Sequence, residues 1–232
     1  MSITKGPALR VRARGPLACF TRPELKVERF SYPVMTPSAA RGLLEAVLWK
    51  PAIQWQINRI HVLNEIKFTA FRRNEVNSKA PTPSARTIAH GGPAPIFFAD
   101  EDKNRAQRNT VALADVDYVI EANFVLTGQA GSGDNVNKFV EMFERRVEKG
   151  QHFHQPYFGC REFVAEVLPA DNPPPAIAED RHLGIVLWDI AFGTDTNAAI
   201  FFDASLRHGV LEVPPDAESA LATLHAGTGG AA

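Results

Sequence analysis

Apolar and polar residues change period several times along this chain, and each change marks an element. Leu9, Val11 and Ala13 alternate with Arg10, Arg12 and Arg14, which predicts a strand with one face buried and one lined by three arginines. After Thr36 the spacing becomes helical. Ala40, Leu43, Leu44, Val47 and Leu48 form one apolar stripe, Thr36 is a good N-cap, Pro37 suits the first helical position, and Pro51 stops the helix. Ile53, Trp55 and Ile57 then alternate with Gln54, Gln56 and Asn58, and "IKFTAFRRNEV" continues the strand pattern after a polar break at Asn64 and Glu65, so a hairpin is expected. "VDYVIEANFVL" is a further strand. Val136, Phe139, Val140, Phe143 and Val147 make the stripe of a second helix, with Gly150 as its C-terminal stop, and "CREFVAEVL" reads as the strand that follows.

Strand, helix, strand pair, strand, helix, strand is the order of an α+β unit of the ferredoxin-like or RRM-like type with one extra hairpin strand. The expected organisation is an RNA-binding-type domain over 1–168, interrupted at about 77–113 by a long surface loop rich in Pro, Gly and charge. Beyond the linker "PADNPPPAIAED", "LGIVLWDIAF", "AAIFFDASL" and "HGVLEVP" predict a small antiparallel β extension over 169–215, and 216–232 reads as a disordered tail of Ala, Gly and Thr. A chain of 232 residues, 45% hydrophobic, can bury a sizeable core. No apolar run approaches the roughly 20 residues needed to cross a bilayer, and the N-terminus lacks the apolar core of a signal peptide, so a cytoplasmic protein with no membrane partner is expected. Cys19 and Cys160 are then expected as reduced thiols.

Net charge is −1, but the charges are segregated: residues 1–80 carry +9, residues 81–150 carry −2 and residues 151–232 carry −8. An electropositive third suits a phosphate backbone; equally, it could neutralise the acidic third within the fold. Arg22, Lys26 and Arg29, interleaved with Phe20, Phe30 and Tyr32, are candidates for RNA contact, as are Arg41, Lys50, Arg72 and Arg73. His152, His154 and Cys160 lie close together but supply too few ligands for a structural zinc site, and "GQAGSGD" lacks the lysine and hydroxyl of a phosphate-binding loop. Asp115 and Asp117 would share a strand face, where solvation is the plain reading. Neither a metal nor another cofactor is expected.

The stretch from "ACFTRPELKVERFSYPVMTPSAARGLLEAVLWKPAIQWQINRIHVLNEIKFTAFRRNEV" to "QHFHQPYFGCREF" resembles the Cas-five-d group, the CRISPR-associated protein family five of subtype I-C systems. The similarity runs from about Leu9 to Phe163, with a weaker echo in "LGIVLWDIAF". It implies an RRM-like domain with a C-terminal β extension, working as a subunit of the crRNA-guided Cascade complex that holds and caps the crRNA 5′ handle. The implied partners are crRNA, the backbone-filament and large subunits, and target DNA through the complex. "TRPELKVER" and "FRRNEV" would then hold handle phosphates.

Members of that group usually also cut precursor crRNA without metal, the ribose 2′-hydroxyl attacking the adjacent phosphate. Such a reaction needs a base, an acid and a cation for the phosphorane charge. The resemblance places the usual side chains at a Tyr or His before "WKP" and at a Lys-His pair opening the second helix. This chain has Leu48 at the first position and Lys138-Phe139 at the second, so only the cation remains. Two readings follow: an RNA-handle-binding subunit with weak or absent cleavage, or an endoribonuclease in which His152, His154, Tyr157 or Tyr32 moves the protons.

Overall fold

The structure is a computed structural model that describes residues 4–25, 27–77, 79, 82–92, 104–191 and 197–227. Its architecture is α+β: nine strands form one sheet whose main path runs β6-β1-β5-β3-β9-β8-β7, and all but one of the strand pairs are antiparallel. The strands are β1 (Leu9–Ala18), β2 (Arg29–Phe30), β3 (Ile53–Val62), β4 (Lys67–Val76), β5 (Arg105–Leu126), β6 (Glu166–Pro169), β7 (Arg181–Ala191), β8 (Ala198–Arg207) and β9 (Val210–Glu212). The helices are α1 (Pro37–Val47), α2 (Ala85–Ala89), α3 (Val136–Glu148) and α4 (Ala217–Gly227). No helix among the described residues is long and apolar enough to cross a membrane.

The two amphipathic helices form where their stripes and caps place them. Thr36 Oγ1 accepts the Ala39 N–H at 3.3 Å to open α1, and Asn135 Oδ1 accepts the Lys138 N–H at 3.0 Å to open α3. Ala40, Leu43, Leu44 and Val47 from α1 and Phe139, Phe143 and Val147 from α3 are buried against one face of the sheet with Trp55, Ile57, Ile120 and Phe124. Trp55 sits at the centre, its ring 5.5 Å from Phe124 and 4.7 Å from Phe143. The C-terminal turn of α1 has no basic residue of its own. Its carbonyls are taken up by tertiary donors: Ala46 by the Phe153 N–H at 2.7 Å, Val47 by the Arg146 guanidinium at 2.6 Å and Leu48 by the Trp55 indole at 3.0 Å.

The expected hairpin between β3 and β4 does not form. Both strands pair with β5, β3 along residues 118–126 and β4 along residues 105–114. The polar break at Asn64 and Glu65 is a jog in a nearly continuous partner strand: Leu63 N–H donates to Asp117 and Asn64 Nδ2 donates to Asp115, whose φ is +50°. A short polar interruption serves a turn or a bulge equally well, and the 22 residues of β5 select the bulge. The strand therefore starts at Arg105, inside the stretch expected as loop, and α2 occupies part of the remainder.

The C-terminal segment adds β7, β8 and β9 to the same sheet through pairing of β9 with β3 at Arg59–His61. His208 and Gly209, both at positive φ, make the two-residue turn between β8 and β9. Helix α4 stands where a disordered tail was expected. Asp216 Oδ1 accepts the Ser219 N–H at 2.7 Å, Ala220 is fully buried, and Thr223 Oγ1 accepts the Asp203 N–H from β8 at 2.8 Å. Alanine is the best helix former, so a cap and one tertiary anchor are enough to order the segment.

Candidate nucleic-acid interface

The positions that the family resemblance assigns to proton transfer lie at the end of α1 and in the first turn of α3. Leu48 is 0% exposed and Phe139 is 2% exposed, the latter edge-on to Phe124 at 6.2 Å. Both belong to the core. Lys138 lies outside it, paired with Asp134 Oδ1 at 2.8 Å, and Lys50 is exposed and close enough for its charge to act on Asp134. The Lys138 hydrogen bond, then the Gly131 N–H, hold the Asp134 carboxyl below its usual range. The loop "TGQAGSGD" is thus an ordered turn tied to the strand start by Thr127 Oγ1, which donates to the Pro51 carbonyl at 2.6 Å. Two cations against one carboxylate leave a single net positive charge for a phosphate here, and no group at positions 48 or 139 can exchange a proton.

Of the four residues that could replace them, three lie on one loop. Phe153 and His154 donate their backbone N–H groups to the Ala46 carbonyl, which docks the loop against the end of α1. His152 and His154 are exposed, and the His154 ring stacks on Tyr157 with centroids 6.4 Å apart. Tyr32 is different: it is buried beneath the Arg22 guanidinium at 4.7 Å, and burial raises its hydroxyl above the usual range.

Three of the seven expected RNA-binding cations, Arg29, Arg41 and Arg73, are clasped by carboxylates within the fold. Arg41 makes two hydrogen bonds of 2.8 and 2.9 Å to Asp189 of β7 and one of 2.8 Å to Glu45. Burial works to discharge it, and those carboxylates more than offset that, raising its pKa. Arg29 and Arg73 share Glu162 and Glu75, Arg29 at 2.6 and 3.2 Å respectively. The β1 arginines are likewise paired, Arg10 with Glu121, Arg12 with Asp117 and Arg14 with Glu166. Arg14, Arg29, Arg41 and Arg73 thus meet carboxylates of the acidic third, whereas Arg10 and Arg12 are balanced by β5 in the middle of the chain. Arg41, Arg29 and Arg73 act as clasps between segments distant in sequence, with Asp189 and Glu162 as partners that no local pattern could reveal. Lys26 lies outside the described residues.

A different picture emerges on the outer face of the ribbon that β4 makes with the first half of β5. Phe68, Ala70, Arg72 and Asn74 are exposed in sequence register on β4, opposite Leu113, Val111, Asn109 and Gln107. Phe30 of β2 pairs beside Val111, and its ring lies 6.1 Å from Phe68. Phe30 and Phe68 are 39% and 44% exposed, unusual for adjacent phenylalanines. Arg22 sits 5.9 Å above the Phe30 ring and has a 3.5 Å ion pair with Glu24. Arg72 contacts the neutral amides of Asn109 and Gln107, each at 3.4 Å, so its charge is uncompensated by them, while Glu28 accepts from Asn109 at 2.9 Å. Two ring faces flanked by two arginines match what stacks on bases and reaches phosphates. Arg22, Phe30 and Arg72 were candidates from sequence; Phe68 was missed, although its place in a strand pattern beside polar residues carried the signal. Asn109 to Phe124 spans roughly 50 Å of extended strand, so this face and the Lys50–Lys138 cluster occupy opposite halves of β5.

Residues 8–214 match the family model described as CRISPR-associated protein (Cas_Cas5) of the Cas5d type. A protein of Mannheimia succiniciproducens named CRISPR pre-crRNA endoribonuclease Cas5d is 46% identical over 215 residues, covering 89% of this chain and 95% of the relative. Among solved structures, one described as a CRISPR-associated protein superposes with a TM-score of 0.66 at 21% identity, covering 91% of this chain and 94% of the other. A chain of a CRISPR RNA-guided surveillance complex superposes with a TM-score of 0.50 at 14% identity, covering 89% and 88%. Those two likenesses are of fold. The family match and the sequence identity go further: the chain belongs to the Cas5d family of CRISPR-associated proteins.

Proposed function

We propose that this chain is an RNA-binding subunit of a type I-C-like CRISPR surveillance complex that holds and caps the crRNA 5′ handle in the cytoplasm, with the usual cleavage chemistry of its family reduced or lost. The observation that carries the proposal is the exposed Phe30–Phe68 pair bordered by Arg22 and Arg72. Stacking supplies affinity for unpaired bases and the arginines supply phosphate contacts. The strand order β6-β1-β5-β3, with α1 and α3 packed on one face, supports an RRM-like reading of the N-terminal part. Partners on this reading are crRNA, the filament and large subunits of the complex and, through it, target DNA. Burial of Leu48 and Phe139 supports the loss of cleavage, since loss of one general acid or base costs about 10²–10⁴-fold in rate.

A second reading, metal-independent processing of precursor crRNA, is favoured by the naming of the Mannheimia relative and by His154 stacked on Tyr157 beside the end of α1. On it, Lys138 would stabilise the phosphorane and the loop histidines would move protons. Incubation with labelled repeat RNA in EDTA, with cleavage read on a gel and binding by mobility shift, separates the two. Binding without cleavage is the expected result. Cutting within the repeat that leaves a 2′,3′-cyclic phosphate would establish the second reading, and Lys138→Ala, His152→Ala, His154→Ala and Tyr157→Phe would then identify its groups.

A further inference from the structure

Two thiols that neither the RNA-binding face nor the nuclease positions use lie against each other where β1 ends. Cys19 follows directly on Ala18, is fully buried, and donates its backbone N–H to the Phe158 carbonyl at 3.1 Å. Cys160 is half-buried on the segment that crosses it, and its sulfur donates to the Cys19 carbonyl oxygen at 3.7 Å. Gly159 makes this approach possible. Its φ is +76°, and a Cβ there would fall 2.0 Å from the Cys19 carbonyl oxygen, so the backbones pass closer than any side chain would allow.

The surroundings of the two sulfurs are unequal. Arg29 Nη1 is 3.8 Å from the Cys160 sulfur, and Glu162, the nearby carboxylate, is itself held by Arg29 and Arg73. Thr21 Oγ1 is 3.7 Å from the Cys19 sulfur. The neighbouring Cys19 sulfhydryl, aided by Arg29, lowers the Cys160 thiol against the opposing effects of burial and Glu162, while Cys160, then burial, raises Cys19. One sulfur is thus prepared to be the partly exposed thiolate and the other its buried thiol neighbour.

We propose that Cys160 and Cys19 form an oxidative modification site for hydroperoxides, in which Cys160 is oxidised first and Cys19 closes an intrachain disulfide. The Cys160 thiolate attacks one peroxide oxygen, the O–O bond breaks, and the departing oxygen takes a proton to leave as water or an alcohol. Cys160 is then a sulfenic acid. The Cys19 sulfur attacks the Cys160 sulfur, its proton joins the leaving hydroxyl, and water departs as the S–S bond forms. The bond fastens the segment carrying Glu162 to the end of β1, across 141 positions of chain.

The test is stoichiometric hydrogen peroxide on the reduced full chain, followed by intact mass and non-reducing peptide mapping. The expected result is a mass about 2 Da lower, for the two hydrogens lost, and one linked peptide pair containing Cys19 and Cys160. With dimedone present, Cys19→Ser should accumulate the adduct on Cys160 and form no link, and Cys160→Ser should show neither adduct nor link. Peptide mapping of the unaltered chain decides the matter even if a variant folds poorly. Oxidation of Cys160 to sulfinic or sulfonic acid without the link, links only between separate chains, or first oxidation at Cys19 would overturn the proposal.

Discussion

Leu48 closes the last turn of α1 and its carbonyl receives the Trp55 indole, while Phe139 fills the space against Phe124. Removing either side chain opens a cavity that helix and sheet can only partly close. Leu48→Ala should cost about 2–5 kcal/mol and Phe139→Ala about 3–5 kcal/mol in urea unfolding, with RNA affinity of the folded protein unchanged. Preserved stability would mean that neither residue has replaced a catalytic group for the sake of packing. Glu162 governs a different property. Burial pushes its carboxyl upward, and the hydrogen bonds from Arg73 and Arg29 more than offset that, leaving it below the usual range. A depressed carboxyl contributes stability that is present above its unfolded value of about 4.3 and is lost as pH falls through the folded value. Glu162→Gln should therefore flatten part of the acid limb of a stability–pH curve measured below about pH 5, and an unchanged limb would dismiss the clasp.

Individual helices were legible because their signals are local. Thr36, Pro37 and Pro51 bracket α1 and Gly150 stops α3, each through a cap or a backbone restriction, while the cap that opens α3, Asn135, was seen only in the structure. The joins were not legible. Whether Asn64 and Glu65 turn the chain or merely kink it depends on the length of β5, which lies more than 40 residues away. The same holds for Arg41: sequence shows a cation on α1, and only the fold shows Asp189 of β7 beneath it. That clasp ties the C-terminal extension to the first helix, so Arg41→Ala should destabilise by about 1–3 kcal/mol. A double-mutant cycle with Asp189→Asn should show coupling between the two sites, whereas additive effects would reduce the pair to a surface contact.

At the scale of the whole molecule, the +9 of the first 80 residues overstates the positive surface, because carboxylates of β5, β6 and β7 and of Glu162 meet much of it inside the fold. What is left for a phosphate backbone is concentrated on few residues. Arg22→Ala and Arg72→Ala should each weaken repeat-RNA binding and lower the slope of log affinity against log salt by about 1, while Arg12→Ala should leave that slope as it is. Equal effects of all three would place the RNA on the central sheet face instead. The length of β5 has one more outcome, in time rather than in space. Residues 118–122 are bonded to β1 on one side and β3 on the other, whereas among the described strands residues 106–109 pair with β4 only. Amide hydrogens along a single strand should thus trade with solvent at two very different rates, slow near Ile120 and fast near Gln107, so that the ribbon can open and reseat around a guest while the other end of the same strand stays shut.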